Sequence, residues 1–431
     1  MKRIFKSLGS LFLLTALLLG SCKKDDKTTT DDTEKPSIPG TYTGSVTISS
    51  SEADEILKKL VDDDITRIDG SLNISYKHED LANLQNIREV TGGLFLNGID
   101  ITAINFLPKL DQVGGTVELK DLDNLLDLQG LALLDSIGGN FTLEQCPKMT
   151  SLSGLDKLVY LNGDLSINQM EKLTSTTTLE KLKKLNGSIK LNRCQELVAL
   201  GGLQLVDSIP GAIEITNCSL LNDLSALANI RFVKDGIKFS NLDAVTTMSF
   251  LPKVDTLRSN LLIEGCDNLT EVAGFDALEY IKDGLYLQNC PTLSNVSGMT
   301  KLDSIGGRLA IQYCDQLENY SGLTSLRLIK SNLEIIGCSS ITHIDGFNDP
   351  LRVEGKVNIR ENAMLTSLGD ADSRKGLGAI REVHGDIDIF YNKLLKSYCP
   401  LKNISTFKGI LRASGNGEDV NSLEDIKTAC N

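Results

Sequence analysis

Seven cysteines set the frame: Cys146, Cys194, Cys218, Cys266, Cys290, Cys314 and Cys338 are separated only by 24 residues or by twice that, and Met170 and Leu242 fill the two skipped positions. A chain that repeats itself at a fixed period of this length stacks equivalent units, because one short unit cannot bury an apolar face alone. Each unit follows one pattern. Asp283-Gly284-Leu285-Tyr286-Leu287-Gln288-Asn289-Cys290 alternates apolar and polar residues, as a short strand with two inward side chains does. Apolar residues then recur at every third position, at Leu293, Val296, Met299, Leu302 and Ile305. That spacing suits neither an amphipathic helix nor a flat strand; it predicts a chain turning through short bends around a core.

The first inward positions of successive coils are Leu72, Leu94, Val117, Phe141, Leu165, Ile189, Ile213, Ile237, Leu261, Leu285, Leu309, Leu333, Val357, Ile387 and Leu411, and from Val117 to Val357 every step is 24. A constant step requires each strand to lie in register beside the one before it. About fifteen such coils make a parallel sheet roughly 65 to 70 Å long at about 4.8 Å per strand. Two residues ahead of the first inward position stands a column of glycines, among them Gly115, Gly139, Gly163 and Gly409, explained by positive φ or by close backbone approach. A second column, with Gly130, Gly154, Gly202 and Gly274, marks another corner, so the cross-section is flattened or triangular. Both ends need covers. Glu52 to Val61, with Ser50 and Ser51 ahead of it as caps, and Leu423 to Thr428 can form short helices there.

Segments such as Gly139-Asn-Phe-Thr-Leu-Glu-Gln-Cys-Pro-Lys-Met-Thr-Ser-Leu-Ser-Gly-Leu155, and the opening Ser49-Ser-Ser-Glu-Ala-Asp-Glu-Ile-Leu57 ahead of Ile68-Asp-Gly-Ser-Leu-Asn-Ile74, resemble receptor L-domain repeats. These leucine-rich-repeat relatives form the ligand-binding lobes of insulin- and EGF-type receptors and occur in fungal cell-wall proteins and bacterial surface lipoproteins. The resemblance implies a mostly β repeat solenoid, a right-handed parallel β-helix of leucine-rich-repeat-like type with short helical caps. The chain departs from the receptors in having many more coils and no cysteine-rich, transmembrane or kinase segment. Signalling therefore does not carry over, whereas extracellular recognition does. On this reading residues 41–431 are the solenoid, with an N-terminal cap at about 45–65 and a C-terminal cap at about 415–431.

The first residues read as an address. Lys2, Arg3 and Lys6 precede an apolar run from Leu11 to Leu19, too short to span a bilayer, and Leu19-Gly20-Ser21-Cys22 resembles the lipobox of bacterial lipoproteins. The resemblance implies a signal peptide over 1–21 and acylation of Cys22. Lys23-Lys24-Asp25-Asp26 follows, similar to the surface-export signal of Bacteroidetes lipoproteins, and opens a polar tether over 22–40. The expected location is the outer membrane, lipid-anchored and cell-surface exposed, with the lipid as the sole contact with the membrane.

Of the remaining cysteines, Cys399 and Cys430 lie off the 24-residue grid and are expected to form a disulfide across the C-terminal cap. The seven ladder cysteines sit at one inward position, where leucine-rich repeats place Asn or Cys so that a polar group meets the backbone at the bend. They are expected to be buried free thiols. A ladder spreads thiols along a line rather than around an ion, so neither a metal nor another cofactor is expected. His78, His343 and His384 fall in different coils as surface or turn residues, away from any nucleophile arrangement. Glu334 and Asp388, on equivalent outward positions two strands apart, are the carboxylates a β-helical polysaccharide-cleaving enzyme would need. A net charge of −13 argues against nucleic acid as a partner. Aromatic residues make up only 5% of the chain, yet Tyr286, Tyr313, Phe390 and Tyr391, with Gln288, Ile336 and Arg360, fall on outward or edge positions of neighbouring C-terminal coils. Together they predict a ligand-binding face for a glycan or an extracellular protein on a monomeric, non-catalytic adhesion or recognition protein. The alternatives are a passive envelope spacer and the polysaccharide-cleaving enzyme.

Overall fold

The computed structural model describes residues 39–430 except Asn319. The signal peptide, Cys22 and all but the last two residues of the tether lie outside the described residues. From Pro39 onward the chain is a parallel β-solenoid. One sheet of 16 strands runs from Val46–Ile48 to Leu411–Ser414, each strand bonded to its predecessor and its successor in chain order. The register is the predicted one: Phe141 pairs with Leu165 and Leu143 with Ile167, and so on at every step of 24. The strand Val46–Ile48, which pairs with Leu72–Ile74, adds a coil to the fifteen expected. Its coil carries a helix in place of the repeated three-residue spacing, which hides the strand from a search by period.

Two further lines of short pairings complete each coil. A second face is formed by ladders of seven and nine strands, from Thr41–Thr43 to Lys184–Leu185 and from Ser208–Ile209 to Thr406–Phe407. A third is marked by the ladder Thr247–Met248, Glu271–Val272, Asn295–Val296 and by single bridges such as Ser151 to Ser175. The cross-section is therefore triangular. In the coil that starts at Leu285, the side chains of Leu285, Leu287, Cys290, Leu293, Val296, Met299, Leu302 and Ile305 are all removed from solvent. Burying a Leu or Ile contributes roughly 2 kcal/mol before conformational entropy is set against it, and every coil repeats that contribution.

The first glycine column owes its composition to close approach. A Cβ on Gly115 would stand 2.8 Å from the carbonyl carbon of Gly92, and one on Gly139 2.8 Å from that of Gly115. Positive φ belongs to another column, the residue that leaves each strand of the long sheet from Leu94–Asn97 onward: Gln145 (53°), Asn289 (52°), Tyr313 (54°), Tyr391 (59°), and glycine at 98, 265, 337 and 415.

The ends are covered as a solenoid requires. At the N-terminal end α1 (Asp54–Asp62) buries Leu57 and Leu60. Its N-cap is Ala53, without a side-chain cap; the Ser50 hydroxyl instead accepts from the N–H of Glu52, before the helix begins. At the other end α2 (Leu423–Ala429) buries Ile426, and the Ser422 hydroxyl accepts from the N–H of Asp425. Cys399 and Cys430 form a disulfide that ties α2 to the last full coil. The longest coil, of 30 residues, stores its excess in an antiparallel hairpin, Gly369–Asp370 with Lys375–Gly376. This hairpin is pinned. Asp349 accepts from Arg374 at 3.2 Å and pairs with Arg381 at 2.6 Å, and Asn403 donates to the Ala371 carbonyl at 2.7 Å.

Candidate binding face

Strand register sorts the predicted face into three rows. Gln288, Gln312, Ile336, Arg360 and Phe390 stand opposite one another in one row, and Tyr286, Ala310, Glu334, Asn358 and Asp388 in a second. Tyr313 and Tyr391 belong to the left-handed row at the strand ends. The middle of this face is closed by its own side chains. Gln288 donates to Gln312 at 3.1 Å, Gln312 donates to Glu334 at 2.9 Å, and Arg308 pairs with the same carboxylate at 3.5 Å. Beneath that chain Ala310 faces outward yet is fully buried, and Glu334 is nearly so. Ile336 has to be withdrawn as a ligand contact: it retains only 3% exposure, flanked by the longer Gln312, Glu334 and Arg360. Tyr286, Gln288 and Phe390 are half-buried and Arg360 is exposed. Tyr313 and Tyr391, at 47% and 61%, are the exposed aromatics of the group.

The enzyme alternative loses its chemistry on this face. Glu334 is held by Arg308 and Gln312, and Asp388 accepts from Arg412 Nε at 2.8 Å. Arg412 also pairs with Asp386 at 2.7 Å, and two carboxylates each engaged by a guanidinium do not make a general acid facing a base. Nor does the cluster of Asp54, His78 and Asp80 offer a ligand. His78 is buried at a turn, its Nδ1 accepting from the Asp80 N–H, which places the ring proton on Nε2 between the Ser51 carbonyl and the Asp54 carboxylate. Both ring nitrogens are thereby occupied. Farther along the sheet a shallow depression of about 350 Å³ is lined by Ser166, Asn168, Lys190, Asn192, Glu214, Thr216 and Lys238. Its polar groups largely satisfy each other, Asn192 donating to Asn168 and accepting from Thr216.

Behind the face runs the ladder. All seven cysteines are free and buried. Their thiols donate to backbone carbonyls, Cys338 to Ile311 and Ile336, Cys314 to Leu287 and Gln312. Burial pushes the Cys146 and Cys338 thiols up to about 12, so they remain protonated donors. The column continues past Cys338 as Asn362, Asn392 and Asn416, a continuation the cysteine count alone did not show. Asn362 Nδ2 donates to the Ile335 carbonyl, the counterpart one coil on of the carbonyl that Cys338 reaches. Its Oδ1 also accepts from the N–H of Cys338 at 3.0 Å, a bond no thiol supplies as well.

The receptor L domain family model matches residues 66–125. The receptor L domain is a ligand-binding, non-enzymatic module. The matched segment carries the strands Leu72–Ile74, Leu94–Asn97 and Val117–Lys120 of the long sheet, and the coils beyond it repeat the same geometry. Comparison with curated proteins finds no match for the chain. The receptor L domain match points to a receptor-like, ligand-binding role for the solenoid.

Proposed function

We propose that the protein is a non-catalytic recognition or adhesion module, anchored at the outer surface of the cell by a lipid on Cys22, that binds a glycan or a protein ligand on the outer face of its long sheet. The observation that carries this reading is the exposure of Tyr313 and Tyr391 at the edge of a face whose centre is otherwise self-packed. Exposed aromatics on a rigid sheet contribute contact area with little conformational entropy to lose, which is how recognition surfaces gain affinity. The receptor L-domain match supports a binding role. Among the described residues no helix is long and apolar enough to cross a membrane, and the proposed anchor is the lipid.

The test is binding of the full-length protein to arrays of polysaccharides and extracellular-matrix proteins, with Tyr313→Ala/Tyr391→Ala alongside. Saturable binding that the double variant loses, at unchanged melting temperature, is the expected result; binding that survives the double variant refutes this face. The anchor is tested separately by the intact mass of the native protein, which carries acyl chains on Cys22 and returns to the unmodified value in Cys22→Ser. A spacer role is the second reading, favoured by the burial of Ala310, Glu334 and Ile336 under their own neighbours, and it predicts no saturable binding at all.

A further inference from the structure

We propose that Tyr313 and Tyr391 are two stacking platforms for one linear, uncharged oligosaccharide laid along the solenoid axis. This rests on the sheet-face recognition role above and names its ligand. From Gly98 onward every coil has a left-handed residue where it leaves the long sheet, and elsewhere in that column the residue is glycine (Gly98, Gly265), asparagine (Asn217, Asn241, Asn289) or a flexible polar side chain such as Gln145 or Arg193. A bulky ring gains nothing from that backbone conformation, and outliers of this kind point to function. Tyrosine occurs there twice, and both times the next strand supplies glycine at the same position, Gly337 after Tyr313 and Gly415 after Tyr391.

The pairing has a steric reason. A Cβ on Gly337 would stand 2.6 Å from Tyr313 Cδ1, and one on Gly415 2.7 Å from Tyr391 Cδ1. Gly98, in the same column, follows Tyr76, whose backbone is not left-handed, and a Cβ there would meet nothing within 4 Å. The glycines therefore vacate space that the rings occupy, and each ring lies along the axis over the neighbouring strand with much of its surface still in solvent. The backbone is undisturbed by this, since the Tyr313 N–H donates to the Ile336 carbonyl at 2.9 Å and the Tyr391 N–H to the Ser414 carbonyl at 3.0 Å.

The spacing selects the ligand. Tyr313 and Tyr391 are three strand spacings apart, roughly 14 Å at about 4.8 Å each. Between them in the row stand Gly337 and Glu361, so the two rings do not form the contiguous apolar patch on which a protein hot spot is built. Arg360 and Glu361 lie 3.9 Å apart and cancel, leaving the strip between the rings without net charge. Two separated rings on a neutral strip fit the apolar C–H faces of successive sugars of an extended chain. One sugar covers one ring; only a chain several units long covers both.

The experiment is titration calorimetry of the full-length protein with size-graded, uncharged oligosaccharides from β-glucan, xylan, mannan and α-glucan, from disaccharides upward. For at least one series, affinity is expected to climb steeply until the chain spans both rings and then to level off. Tyr313→Ala and Tyr391→Ala are each expected to lower long-chain affinity about tenfold and to remove the length step. Gly337→Ala keeps both rings but displaces one and is expected to act in the same way. Gly98→Ala, with similar backbone strain and no ring to displace, is expected to leave affinity unchanged and controls for folding along with the melting temperature. The proposal is overturned if no series binds, if affinity is independent of length, or if folded Gly337→Ala binds like the wild type. A protein ligand captured on this face while every glycan series fails would overturn the platforms and leave the recognition role standing; failure of both ligand classes would remove both.

Discussion

Asn392→Ala puts the equivalence of the cysteine and asparagine columns at risk. Asn392 is fully buried; its Nδ2 donates to the carbonyls of Ile359 at 3.0 Å and Phe390 at 3.1 Å, and its Oδ1 accepts from the N–H of Asn362 at 3.1 Å. Alanine strips the Asn362 N–H of that acceptor inside the core, which costs about 1 to 3 kcal/mol, and loses donation to the carbonyls for about 1 kcal/mol more. The expected loss is about 3 kcal/mol. Asn392→Cys restores the donor through its S–H but not the acceptor, so it should fall between alanine and the wild type. Urea unfolding followed by far-ultraviolet circular dichroism gives the three stabilities, with the slope compared first because a repeat protein can lose its end coils before the rest. Alanine within about 0.5 kcal/mol of the wild type, or cysteine less stable than alanine, would refute the claim that both side chains serve the same backbone groups.

Removing the disulfide by Cys399→Ser/Cys430→Ser frees a loop set by a separation of 31 residues and should cost roughly 3 to 4 kcal/mol. The loss should be confined to the last coils and α2, and hydrogen exchange that quickens evenly along the chain would contradict this. Cys146, Cys194, Cys218, Cys266, Cys290, Cys314 and Cys338 should be silent to a thiol reagent in the native protein and all react in denaturant; fast labelling of any of them in native buffer refutes the buried ladder. Burial works against the charge of Asp349, but the hydrogen bonds and charges of Arg381 and Arg374 prevail and hold its carboxyl below the ordinary carboxylate range. A depressed folded value means stability that is present above the unfolded pKa of about 3.9 and is lost as pH falls below it. Asp349→Asn should therefore flatten the acid limb of the stability profile; an unchanged limb would show that the hairpin anchor contributes nothing.

Period, register and the identity of inward residues were legible because the parallel pairing leaves one solution: a slip of one residue would turn Leu285 and Leu287 out to water. The added strand Val46–Ile48 was not, since α1 interrupts its coil. The choice between positive φ and close approach for the glycine columns was equally closed to the sequence, because a glycine serves either and only the carbonyl of the preceding coil decides. For the face, alternation placed Ile336 correctly on the outer side, yet exposure depends on the length of its neighbours, and the longer Gln312, Glu334 and Arg360 flank it. The tyrosines at 313 and 391 read as ordinary edge residues until their φ values are known. A signal was present nonetheless: Gly337 and Gly415 each follow such a tyrosine by 24 residues.

Since each coil touches only the coils beside it, the number of coils is a quantity the molecule can change without redesign. Excising one whole 24-residue unit would bring together two strands that already match in pattern, whereas a cut that shifts a strand by one residue would turn its inward side chains out to water. The hairpin at Gly369–Gly376 shows the other tolerated change, growth at a corner that leaves both neighbouring strands in step. Length is thus inherited in whole steps, and it is α1, α2 and the terminal disulfide that say where counting stops.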